Sequence, residues 1–183
     1  MNWFVRFVLL TAHGLYLKYA ERALQEHYPH IARLAAALSV SEGIHALNCQ
    51  KVLADLGVAP APYHDPKLSI ADTPTNLSHA SAAELDEIDT RYPAYLERIK
   101  VENVTGAIGV ITRSWQAERQ HRDLIERLRQ GSGFLFGVMV QALEALPDQY
   151  YVCSFCGSTL TWLPSDKCPI CEGPVSRYNE VTD

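Results

Sequence analysis

One four-residue phrase occurs twice and constrains this chain more than any other feature: Glu42-Gly43-Ile44-His45 and Glu118-Arg119-Gln120-His121. Both lie in long stretches with helical spacing. Positions i and i+3 share a helix face, so each phrase aims a carboxylate and an imidazole at one point. A single such pair is compatible with a surface ion pair. Two of them, each in an apolar helix, match the pattern by which helix bundles hold two metal ions, with further carboxylates from the other two helices.

The rest of the chain supplies those helices. Residues 2–26 read as a first helix, with Phe4, Phe7, Val8, Leu15, Tyr19 and Ala23 on its apolar side. Arg6 interrupts the opening apolar run and no cleavage site follows, so this reads as a buried helix and not a signal peptide. After a break at Tyr28-Pro29, a second helix runs from Pro29 to Leu56 and is stopped by Gly57. Residues 58–75 carry Pro60, Pro62, Pro66 and Pro74 and cannot be helical throughout. A connection this long implies a crossover along the bundle, as in ferritin-like folds. A third helix is expected from Asn76 to Val101, kinked at Pro93. A fourth follows a break near Asn103 and ends at Gly131-Ser132-Gly133. A short apolar helix, Phe134 to Leu146, then leads to Pro147 and a cysteine-rich tail. The expected architecture is mainly α: a ferritin-like four-helix bundle over 1–147 and a small metal-binding domain over 148–183.

The two bundle halves are related by a shift of 76 residues, which maps Tyr16 on Tyr92, Glu26 on Glu102, Glu42 on Glu118 and His45 on His121. These types suit the lining of a metal centre in a pseudo-twofold bundle. Helix three adds Glu84 and Glu87, again three apart. Glu42, His45, Glu84, Glu87, Glu118 and His121 make a mixed oxygen and nitrogen set that suits iron or manganese. Without cations, burying four carboxylates costs several kcal/mol apiece. His27, His30, His64 and His79 lie near helix ends or in the connection and read as exposed; Cys49 reads as a buried thiol.

In the tail, Cys153-Ser-Phe-Cys156 and Cys168-Pro-Ile-Cys171 are separated by eleven residues. Two such knuckles specify one tetrahedral four-thiolate site and a reducing compartment, hence the cytoplasm. Spacing does not separate zinc from iron there. Metal binding supplies the folding energy that so small a core lacks, with Tyr150, Tyr151, Phe155 and Trp162 expected to shield the centre. A net charge of -5 gives no case for nucleic acid, and no apolar run is long enough to span a membrane.

These residues together resemble the rubrerythrin family over nearly the whole chain. The match runs from Glu26 through Tyr28-Pro29-His30-Ile31-Ala32-Arg33-Leu34 to Glu42 and His45-Ala46, then Glu84, Glu87 and Tyr92-Pro93, then Glu118 and His121. The tail, Tyr150 to Gly157 and Lys167 to Cys171, resembles the family's rubredoxin-like domain. The resemblance implies a non-haem di-iron centre reducing hydrogen peroxide to water. Electrons would enter through an iron–thiolate tail from partner reductases and ultimately a reduced pyridine nucleotide. It further implies that Tyr16 and Tyr92 flank the metals, that His45 and Glu87 exchange at one iron with redox state, and that the chain forms a homodimer. In that dimer the 134–146 helix packs at the interface and one chain's tail approaches the other's bundle.

The match departs at Leu9, where the family has a glutamate seven residues before the tyrosine corresponding to Tyr16. An incomplete or altered site ranks first as its consequence; substitution by His13, or completion by another chain or water, are the alternatives. Two other functions compete with peroxidase: iron oxidation or storage on the same ligands, and a non-catalytic scaffold with structural zinc in the tail.

Overall fold

A computed structural model describes residues 3–59, 68–132 and 147–182, with side chains from Leu9 in the first stretch and up to Leu128 in the second. Helix α1 spans Trp3–Gln25 and α2 spans Pro29–Asp55. Their junction is a left-handed turn at His27, φ 64°, in which Tyr28 N donates to Ala23 O and His27 N to Leu24 O. Gly57, φ 68°, closes α2 in the same way, with Val58 N donating to Leu53 O. Glycine adopts this conformation without steric cost, as the sequence at that stop suggests.

The expected third helix is three pieces: α3 (Thr73–Asp86), a π-helical turn (Glu87–Arg91) and α4 (Tyr92–Glu102). It starts earlier than Asn76 because the Asp72 carboxylate accepts from Thr75 N at 2.8 Å and Pro74 fits the first turn. Its irregularity precedes Pro93, whose ring would clash with the carbonyl four residues back in a regular helix. The chain absorbs this with one extra residue, Tyr92 N donating to Glu87 O. Asn103, φ 53°, ends α4, and α5 spans Thr105–Ser132.

Helix α1 packs along α2, α3 and α4 pack along α5, and the two pairs meet through α2 and α5. Glu26, at the end of α1, accepts from Thr73 N at 2.8 Å. The start of α3 therefore lies at the opposite end of the bundle from Gly57, so α2 and α3 are joined from one end of the bundle to the other. This is the ferritin-like crossover. Pro60, Pro62, Pro66, His64 and the 134–146 helix lie outside the described residues, as do the side chains of Phe4, Phe7 and Val8. No described helix is long and apolar enough to cross a membrane.

The core of the bundle is two apolar clusters with a polar slab between them. One gathers Tyr16, Ala23, Leu34, Leu38, Leu77 and Ile125 among others; the other gathers Leu9, Cys49, Tyr92, Leu96 and Ile111. Along α2, α3–α4 and α5 the order is apolar, acidic, apolar. Along α1, between Leu9 and Tyr16, no acidic residue occurs. The tail is a three-stranded antiparallel sheet of order β2-β1-β3, with β1 Tyr151–Cys153, β2 Thr159–Leu160 and β3 Tyr178–Glu180.

Candidate metal centres

In the polar slab, Glu42, His45, Glu84, Glu118 and His121 are all buried to 3 % exposure or less. Ligand atoms of Glu42, Glu84, Glu118 and His121 lie within 4.8 Å of one another. His45 joins from the other side, its Nδ1 3.1 Å from Glu118 Oε1 and 3.7 Å from Glu42 Oε2. The two imidazoles face each other, ring centres 5.9 Å apart. Glu87, on the π turn, is only partly buried and stands outside the four-residue cluster. Tyr16 donates to Glu84 Oε1 at 2.5 Å and Tyr92 to Glu118 Oε1 at 2.6 Å. Strict twofold symmetry would pair Tyr16 with Glu42, so the halves are alike in helices and unlike in hydroxyl contacts.

These groups are not arranged to satisfy one another. Glu42 Oε2, His45 Nδ1, Glu84 Oε2, Glu118 Oε2 and His121 Nδ1 have no hydrogen-bond partner. His121 Nδ1 approaches Glu118 Oε2 to 2.8 Å without the angle of a hydrogen bond. Two ligands at right angles about an ion with bonds of about 2.1 Å stand about 3 Å apart in this way. Orphaned buried acceptors cost free energy unless a cation or proton meets them, so the donor set fits divalent metal.

Protons are the competitors. Burial opposes a charge on His45, but the Glu118 and Glu42 carboxylates outweigh it and raise the imidazole to about 10. His121 moves the same way, burial again being overcome by Glu118. Burial pushes the Glu84 and Glu87 carboxyls well up, with Glu118 and Glu42 adding repulsion. Glu118 is driven down because His45 and His121 outweigh its own burial.

The tail cysteines are free thiols, with Cys153 Sγ 3.9 Å from Cys171 Sγ and Cys156 Sγ 3.6 Å from Cys168 Sγ. These separations exclude disulfides. Four sulfurs about 2.3 Å from one central ion form a tetrahedron with edges of about 3.8 Å, so the set fits a metal. Cys153 is pulled down to about 5, first by the Cys156 thiol and then by the backbone amides of Phe155 and Cys156, against burial. Of the aromatics expected to shield this centre, only Tyr151 packs on the cysteine cluster. Tyr150 belongs to the bundle core, and Phe155 and Trp162 are exposed. Tyr178 takes that place instead, its hydroxyl donating to Cys168 Sγ at 3.2 Å. A lone tyrosine seven residues past the last cysteine gave no spacing signal.

The tail sits directly on the bundle centre. Successive turns of α2 present Ser41, His45 and Asn48: Ser41 donates to Gly157 O at 2.6 Å, His45 Nε2 meets Cys156 O at 3.2 Å, and Asn48 donates to Phe155 O at 2.7 Å. From α5, Gln120 Oε1 accepts from Ser158 Oγ and Thr159 N, each at 3.0 Å. Sequence reading missed Ser41, Asn48, Gln120 and Thr159. No spacing singled these residues out, because most of their partners are main-chain atoms.

The remaining expectations divide. Cys49 is fully buried and raised to about 12 by that burial. His27 and His79 are exposed, but His30 is half-buried, its Nδ1 2.9 Å from Asp148 Oδ1. Glu26 does not line the centre; Thr73 N and Arg22 engage it at the bundle end. His13 does not join the site in place of a glutamate at position 9: it stands outside the group of mutually close ligand atoms, and its Nδ1 lies 2.8 Å from Ser39 O. Leu9 itself is core, 2 % exposed.

The family model described as Rubrerythrin matches residues 10–129. Rubrerythrin-2 of Clostridium acetobutylicum is 29% identical over 160 residues, 87% of this chain and 83% of that protein. Nigerythrin of Nitratidesulfovibrio vulgaris is 26% identical over 171 residues, 91% of this chain and 78% of the other. A solved structure titled as the fully reduced, all-ferrous state of nigerythrin superposes with a TM-score of 0.79 at 25% identity, covering 98% of this chain and 85% of that one. Its partially reduced state gives a TM-score of 0.81 at 24% identity, covering 98% and 84%.

Proposed function

The chain belongs to the rubrerythrin family, and on that premise we propose that it is a non-haem iron peroxidase fed with electrons through its four-cysteine centre. Each hydrogen peroxide takes two electrons and two protons and leaves as two waters. The observation that carries this reading is the convergence of orphaned imidazole and carboxylate atoms between two apolar clusters.

In this reading Glu42, His45, Glu84, Glu87, Glu118 and His121 hold two ions, and Cys153, Cys156, Cys168 and Cys171 hold one. An iron pair, when bound, supplies the two electrons and polarises the O–O bond. Iron is favoured over manganese by the all-ferrous nigerythrin to which the fold is similar. Tyr16 and Tyr92 are assigned as the catalytic proton-holding groups. Burial first, and then Glu84 for Tyr16 and Glu118 for Tyr92, raises their phenols well above the usual range, so both stay protonated at neutral pH. Their hydroxyls orient the carboxylates, and the apolar clusters limit water to the slab. Glu87 on the π turn is the carboxylate that would exchange with His45.

Cys156 offers a thiolate to the tail site and a carbonyl to His45 Nε2, so one residue and one hydrogen bond join the two centres. That short route supports electron entry through the tail. A reductase drawing on a reduced pyridine nucleotide, a homodimer, a cytoplasmic setting and a domain boundary at 147/148 complete the proposal. One observation favours a second reading, iron binding without turnover: α1 contributes Leu9 where a fourth helix would offer a carboxylate.

Peroxide consumption by the iron-loaded protein with an artificial reductant tests the reading. Glu118→Ala is expected to abolish consumption and bundle iron while the red ferric–thiolate band of the tail persists. Full activity in that variant, or none in the wild type, contradicts it.

A further inference from the structure

The hydrogen-bond directions around His121 reach beyond its ligands. His121 Nε2 lies 3.0 Å from Ser41 Oγ and 3.3 Å from Thr159 Oγ1. Each hydroxyl has one hydrogen, and both donate to the same acceptor, the Gly157 carbonyl, at 2.6 Å from Ser41 and 3.0 Å from Thr159. Toward the imidazole, both oxygens are therefore left only as acceptors. Nε2 must carry a hydrogen. When the imidazole is neutral, Nδ1 holds the lone pair and points it at the carboxylates, 2.8 Å from Glu118 Oε2.

We propose that Ser41 and Thr159 are positioning residues that hold His121 in its Nε2–H tautomer, anchored together on the Gly157 carbonyl of the thiolate loop. The proposal rests on the reading that the bundle binds metal. Ser41 comes from α2, Thr159 from β2, and Gly157 follows the thiolate residue Cys156, so a bundle ligand is set by the tail. The loop is itself fixed by its cysteines: Gly157 N donates to Cys153 O, and Cys153 N to Ser158 O, both at 2.9 Å. The fit admits no side chain at 157, where φ is 78° and a Cβ would fall 2.6 Å from Ser41 Oγ and closer still to His45 Nε2. Groups that fix the second nitrogen of a ligating histidine govern its metal affinity by about 10–100-fold.

The test titrates full-length protein, its tail metal in place, with Zn2+ against a competing chelator, and follows histidine ring N–H signals by NMR. The Ser41→Ala/Thr159→Val double variant is expected to bind bundle Zn2+ about 10–100-fold more weakly and to lose the solvent-protected Nε2–H signal of His121. Ser41→Thr is expected to retain both. Wild-type affinity in the double variant, or a Ser41→Thr protein as weak as Ser41→Ala, overturns the proposal while the metal reading stands. A wild-type protein that takes up no Zn2+ beyond the tail overturns the metal reading, and this proposal with it.

Discussion

Leu9 is the residue whose identity changes the chemistry most. Counting back from the paired tyrosines shows what it replaces. Glu84 precedes Tyr92 by eight residues, one of which is the extra residue of the π turn; the equivalent helical position before Tyr16 is seven back, Leu9. Leu9 thus stands opposite Glu84 in the pseudo-twofold, and the cluster of mutually close ligand atoms lies on the Glu84 side. We expect Leu9→Glu to tighten binding of a second ion in the bundle, read by metal titration and elemental analysis. Without metal the same variant buries an unpaired carboxylate among Cys49, Tyr92 and Leu96, at about 3 kcal/mol of stability. Added Fe2+ should restore the unfolding temperature, and a variant that is equally unstable with and without metal would refute this. At this scale the convergence of acid and imidazole was legible, because an i, i+3 pair on one helix face occurs twice and the structure brings Glu42, Glu84, Glu118 and His121 together. Ser41 and Thr159 were not, because the single carbonyl to which both donate, Gly157 O, carries no residue type.

Helix ends were legible to within a residue or two at Gly57, Asn103 and Gly131-Ser132-Gly133, whereas the third helix starts at Thr73, three residues before Asn76. The interruption within the third helix was read as a kink at Pro93, whereas the structure absorbs that proline in a π turn upstream. A proline clashes with the carbonyl four residues back, so room is made upstream; sequence alone does not say whether that takes the form of a bend or of an added residue. The turn has a functional consequence. Each residue of a helix rotates its successor by about 100°, so the extra residue sets the angle between Glu84 and the Tyr92 hydroxyl. Deleting Asp89, which is exposed on that turn, should realign them wrongly. We expect helical content to be kept by circular dichroism while bundle metal falls below one ion per chain. Full metal content in the deletion protein would show that the turn is incidental to the site.

For the whole molecule, the two centres belong to one unit, because the tail meets both buried imidazoles, through Cys156 O at His45 and through Thr159 Oγ1 of β2 at His121. Their contact was not legible, since it joins segments from 38 to 116 residues apart, largely through main-chain atoms. Proton competition also acts at this scale. With His45 raised to about 10 in the metal-free fold, a metal ion must displace its proton throughout the neutral range, so uptake releases protons. Bundle affinity should therefore rise as pH goes from 6 to 8, with proton release visible in calorimetry as a dependence of apparent enthalpy on buffer. An affinity independent of pH across that window would mean that His45 does not bind.

The measurement that tests the account most directly is anomalous scattering at the iron edge from a crystal grown with Fe2+. The account predicts iron density in the bundle between Glu118 and the Nδ1 atoms of His45 and His121, and a separate peak among the four cysteines. A peak in the tail alone, with the bundle carboxylates joined only to one another and to protonated imidazoles, would contradict it.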